Sequence, residues 1–111
     1  MSVLSFDAYL KPLGYAQVPA AALAASVGLT ASTLGATAGV IPENADMVLI
    51  EPEVANIRWT DDALTTPTAS LGQILAAGDT IRYTGSMKDF RMIKVSGSPL
   101  VNLTLYSCKK G

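Results

Sequence analysis

Apolar and polar residues alternate in short runs along most of this chain, and glycine or proline separates the runs. Residues 100–107 (LVNLTLYS) show the pattern best: Val101, Leu103 and Leu105 share one face of an extended segment, and Asn102, Thr104 and Tyr106 share the other. One apolar and one polar face marks a strand in an antiparallel sheet with a single side on the core. Residues 54–60 (VANIRWT) place Ile57 and Trp59 opposite Arg58, and residues 79–84 (DTIRYT) place Ile81 and Tyr83 opposite Arg82. Residues 47–51 (MVLIE) are a continuous apolar run suited to a buried strand, which Pro52 is expected to end. Residues 90–96 (FRMIKVS) carry large apolar side chains on both faces, Phe90 and Met92 against Ile93 and Val95. Gly97, Ser98 and Pro99 join this run to 100–107, and Gly-Ser between two β-rich runs predicts a hairpin.

The remaining segments are weaker. Residues 23–29 read as a strand of small and apolar residues, while Pro19 followed by alanines through Ala25 supports a helix instead. Residues 60–79 (TDDALTTPTASLGQILAAG and its flanks) read as a surface loop with a brief strand at Ile74 and Leu75. Short strands at turn spacing with no sustained helical period predict an all-β fold, an antiparallel β-sandwich or jelly-roll-like domain over residues 20–111. Residues 1–19 are set apart as an extended N-terminal arm, because Pro12, Gly14 and Pro19 interrupt regular structure. The arm nevertheless carries Phe6, Tyr9 and Tyr15, three of the six aromatic residues that are Phe or Tyr. Aromatics need burial to be useful, so the arm is expected to pack on its own domain or on a neighbouring copy or partner, with Phe6, Tyr9, Lys11 and Tyr15 as its contact residues.

Composition narrows the chemistry. The chain has 111 residues, no histidine, one cysteine (Cys108) and a net charge of −1. That is one domain, with no intramolecular disulfide, no Cys-based zinc site and no histidine for general-base catalysis. Asp61 and Asp62 are the only adjacent acids; neighbours on a strand diverge, so a turn or cap role is expected rather than a metal site. The glycines form no phosphate loop, and Asn102-Leu103-Thr104 matches a glycosylation sequon only by chance. Neither a catalytic site, a cofactor nor a metal is expected. The charge-free stretch 18–40 is long enough to span a bilayer, but its alanines and Gly28, Gly35 and Gly39 argue against insertion, so no membrane association is expected. Residues 1–7 hold no basic n-region, and Asp7 and Lys11 interrupt the apolar run that follows, which suits synthesis in the cytoplasm.

Charge placement says more than its sum. Residues 1–57 carry five acids and one base, whereas 58–111 carry four acids and seven bases. A chain divided this way can complement a second copy of itself. Lys88, Arg91, Lys94, Lys109 and Lys110 would form a basic patch if the last two strands pair, and without interleaved exposed aromatics it would suit an acidic protein surface rather than nucleic acid. Trp59 and Tyr83 would be the natural stacking platform for a sugar, but their faces assign them to the core.

The order of short elements from Thr30 onward resembles small structural proteins of tailed-bacteriophage virions. It comprises Gly28-Leu29-Thr30, Ile41-Pro42, an Ile-Arg-Trp with aspartates (Asn56 to Asp62), a Pro-Thr-Ala-Ser-x-Gly loop (Pro67 to Gly72), Ala77-Gly78, and DFRMIKVSG leading into LVNLTLY. The resemblance implies a non-enzymatic β-sandwich, a capsid decoration or cement protein that binds the major capsid protein or neighbouring virion subunits. It also implies localisation in the virion and a homo-oligomer, with a trimer as the family-style guess. The alternative is a carbohydrate- or receptor-binding module on a tail or head fibre. The family's loop reads Asp-Gly where this chain has Asp62-Ala63.

Overall fold

The computed structural model describes residues 10–29 and 45–108. Eight strands are found among them: β1 (Leu10–Val18), β2 (Val27–Gly28), β3 (Met47–Glu53), β4 (Ile57–Thr60), β5 (Gln73–Leu75), β6 (Ile81–Tyr83), β7 (Arg91–Lys94) and β8 (Leu100–Cys108). They form two four-stranded antiparallel sheets, β1-β8-β3-β6 (sheet A) and β2-β7-β4-β5 (sheet B). Each strand pairs with its mirror in the sequence: β4 with β5, β3 with β6, β2 with β7 and β1 with β8. This is a long hairpin rolled up on itself, the jelly-roll order, and the expected all-β sandwich is what the chain forms.

The alternation read from the sequence fixes which side chains enter the core. Val101, Leu103 and Leu105 of β8 are fully buried, as are Val48 and Ile50 of β3, Ile57 of β4 and Met92 of β7. At the centre Phe90 has no exposed surface, and its ring stacks on Trp59 (centroids 5.5 Å, planes 20° apart) and tilts against Tyr83 (4.9 Å). Burying a side chain of this size contributes about 1.5–3 kcal/mol. Trp59 and Tyr83 therefore belong to the core, Tyr83 buried and Trp59 packed on the cluster from its rim.

Four local expectations need correction. The run from Gly97 to Pro99 does not close a hairpin: β7 lies in sheet B and β8 in sheet A, so the connection is an arch from one sheet to the other. Gly97 makes the turn possible at φ 71. Residues 23–29 are not one strand; a 3₁₀ turn at Ala22–Ala24 buries Leu23 and only Val27–Gly28 pair with β7. Pro52 does not end β3, which continues to Glu53 with Pro52 opposite Val101. Finally, Leu10–Val18, placed by sequence in the arm, form the edge strand of sheet A. The breakers are absorbed there: the register shifts between Pro12 and Gly14, a bulge, and an edge strand tolerates a proline that cannot donate on its open side. Ala16 and Val18 of this strand enter the core.

Candidate functional site

Among the described residues, the segment between β4 and β5, residues 61–72, is the surface loop most heavily tied by side-chain hydrogen bonds. Arg58 points away from the core on β4. Its guanidinium reaches over the outer side of sheet B, Nε donating to the Ala69 carbonyl (3.1 Å) and Nη1 to the Gly72 carbonyl (2.7 Å). Thr60 Oγ1 donates to the Thr65 carbonyl (2.6 Å), and Arg91 Nη1 donates to Thr66 Oγ1 (3.2 Å). The loop is thus drawn back over the sheet, and Pro67 is buried beneath it. Gly72 sits at φ 126, where a Cβ would lie 3.1 Å from the Trp59 carbonyl oxygen.

The tip is a turn organised by Asp62. Its Oδ1 accepts from the backbone N–H groups of Leu64 (3.1 Å) and Thr65 (2.8 Å), and its Oδ2 accepts from Thr65 Oγ1 (2.7 Å). The Thr65 hydroxyl, followed by the two N–H groups, favours the carboxylate and lowers the Asp62 pKa below its ordinary value. Ala63 at the crown adopts φ 67, a conformation suited to glycine. The fixed loop displays apolar surface: Leu64 is 89% exposed and Leu71 52%. Asp62 thus has the turn role expected of it. Asp61 faces elsewhere, accepting from the Tyr83 hydroxyl (3.0 Å), which also lies 3.0 Å from the Ser86 carbonyl. Burial, with the Asp61 contact second, raises the Tyr83 pKa well above its usual value.

The contact residues expected from sequence fall as follows. Phe6 and Tyr9 lie outside the described residues, as do Lys109 and Lys110. Lys11 and Tyr15 are exposed on β1. The Tyr15 hydroxyl bonds within its own domain, donating to Asn102 Oδ1, as does Gln17 Nε2 (2.8 Å), and Asn102 Nδ2 donates to Glu53, while the Tyr15 side chain stays half exposed. This network ties the edge strand across β8 to β3, and it occupies the sequon asparagine. The basic patch is not assembled by strand pairing, because β7 and β8 lie in different sheets. Within β7, Arg91 and Lys94 are three residues apart and point to opposite sides, and Lys88 lies beside Asp89 (3.7 Å) in the β6–β7 loop.

Among the described residues, no three His, Cys, Asp or Glu side chains stand close enough to share a metal ion. A depression of about 250 Å³ is lined by Ala45, Gly85, Ser86, Met87 and Lys88. The site that sequence reasoning missed is the Leu64–Leu71 display. Its only local signals are Asp62 two residues before an isolated leucine and the Pro67–Gly72 motif. Compared with protein-family models, curated proteins and solved structures, the chain finds no match.

Proposed function

We propose that this chain is a non-enzymatic structural protein of a virion, a decoration or cement protein that binds the shell formed by the major capsid protein. The observation that carries the reading is the loop 61–72, held by Arg58, Thr60, Asp62 and Arg91 while it presents Leu64 and Leu71 to solvent. A solvated leucine on a rigid support loses little entropy on docking, so most of its burial energy goes into the contact. Repetition over a symmetric shell then turns a modest contact into firm attachment. The resemblance to phage structural proteins, drawn from the order of elements from Gly28 to Tyr106, includes these residues: Ile57-Arg58-Trp59, Asp62 and Pro67–Gly72 are the parts from which the loop is built. Jelly rolls serve in viral shells and in lectins alike, so the fold alone does not choose. The sugar platform weighed from sequence is not pursued, because the Tyr83 ring is buried and its hydroxyl is engaged.

The test is immunogold labelling of particles from the source culture with an antibody to this chain, together with co-sedimentation of the purified protein with those particles. Labelled heads are expected, with Leu64→Ser/Leu71→Ser weakening binding at least about tenfold, as loss of two apolar anchors requires. Unlabelled particles, or binding indifferent to the double substitution, would overturn the reading.

A further inference from the structure

The two outer sheet faces differ in charge, and neither balances itself. On sheet B, Arg58 and Arg91 project outward, and among the described residues they donate to neutral oxygens. Arg58 stands in register between Ile74 of β5 and Ile93 of β7, and Ile74 is 49% exposed. No acidic residue lies on the strands of sheet B. On sheet A, Glu51 and Glu53 project outward from β3, and neither forms an ion pair among the described residues. Against these two acids Arg82, at the β6 edge, leaves the described residues of that face net acidic.

We propose that copies of this chain associate face to back, the outer side of sheet B of one copy against the outer side of sheet A of the next. The arginines then meet the glutamates, and the isoleucines meet the half-exposed Tyr15 ring. Charge decides the arrangement. Pairing like faces would set arginine on arginine or glutamate on glutamate, which costs several kcal/mol, whereas unlike faces attract. The interface is therefore heterologous, so copies add head to tail, into a ring or an open chain according to the rotation, rather than as a two-fold dimer. The inference uses neither Leu64 nor a shell, but it shares Arg58 and Arg91 with the support of the 61–72 loop, so the salt series and the glutamate variant, which leave that support in place, separate it from the virion reading.

Sedimentation velocity of the full chain over a range of concentration and salt tests it. The expected result is a species heavier than the 11.5 kDa monomer that dissociates as salt rises. Glu51→Lys/Glu53→Lys should raise the dissociation constant at least about tenfold, and so should Arg91→Glu. An equimolar mixture of the two variants should associate, because each supplies the intact face that the other lacks. A monomer under all conditions, an oligomer indifferent to salt and to both variants, or a mixture that stays monomeric would overturn the proposal. Should the glutamate variant fail to fold by circular dichroism, Arg91→Glu and the salt series on the unsubstituted chain decide it.

Discussion

Replacing Gly85, an exposed residue of the β6–β7 loop, with alanine tests how tightly the Tyr83 ring is packed. The residue needs no left-handed backbone, so the substitution adds only a Cβ. That atom would lie 2.6 Å from Tyr83 Oη, 2.8 Å from Cζ and 3.0 Å from Cε1. Ordinary contact begins at 3.4 Å, so the tyrosine must retreat by about 0.8 Å in an interior that packs like a crystal. It has nowhere to go: its ring lies 4.9 Å from Phe90 and 6.0 Å from Trp59, and its hydroxyl is held by Asp61 and Ser86. Overpacking costs about 1–3 kcal/mol and the displaced hydroxyl about 1 kcal/mol more, so the expected loss is about 2–4 kcal/mol. In a domain of this size the melting temperature should fall by roughly 8–20 °C. Urea unfolding followed through Trp59, the only tryptophan, measures the loss directly. In a Tyr83→Leu background the clashing atoms are absent, and Gly85→Ala should become neutral or stabilise by up to about 1 kcal/mol. A loss below about 0.5 kcal/mol in the parent, or the same loss in both backgrounds, would refute the steric argument.

Two further predictions concern strain and pH. Val54 (φ 76) and Ala63 (φ 67) hold positive φ without being glycine, and Val54 is 80% exposed with the Ala55 N–H bonded to the Glu53 carbonyl across it (2.9 Å). Val54→Gly and Ala63→Gly should each stabilise by about 1 kcal/mol in urea titrations, and a loss of stability in both would show that the strain is not there. Because burial holds Tyr83 protonated in the fold, its contribution is fully present below the unfolded tyrosine value near 10 and is lost as pH rises through the folded value. Stability should therefore fall above about pH 10 with a slope of up to ~1.4 kcal/mol per unit that Tyr83→Phe lacks, and parallel parent and variant curves would contradict this.

The strand faces were legible because a period of two is a local signal. Val101, Leu103 and Leu105, or Ile57 and Trp59 against Arg58, lie where alternation puts them. Sheet membership was not legible. An arch and a hairpin both join two alternating runs through a glycine, and only the remote partners, Thr60 for Arg91 and Glu53 for Leu100, tell them apart. The edge strand was hidden for a related reason: Pro12 and Gly14 read as breakers until a neighbour supplies a register in which a bulge accommodates them. At the loop, the Asp62 turn follows from residue type and spacing. The reach of Arg58 to the carbonyls of Ala69 and Gly72 depends on backbone curvature that no local pattern encodes.

The rolled pairing also sets how the chain can find this structure. The contacts are nested, from Trp59↔Gln73 through Ile50↔Ile81 and Val27↔Met92 to Leu10↔Cys108. Taken alone, the outermost pair closes nearly the whole chain and would be slow to form. Formed after the inner pairs, it closes only the increment between one coil of the roll and the next, and loop entropy grows slowly with such increments. The hairpin that carries the Leu64 tip is then the expected kinetic seed as well as the surface feature, so the element proposed to meet a partner is also the one around which the rest should be wound.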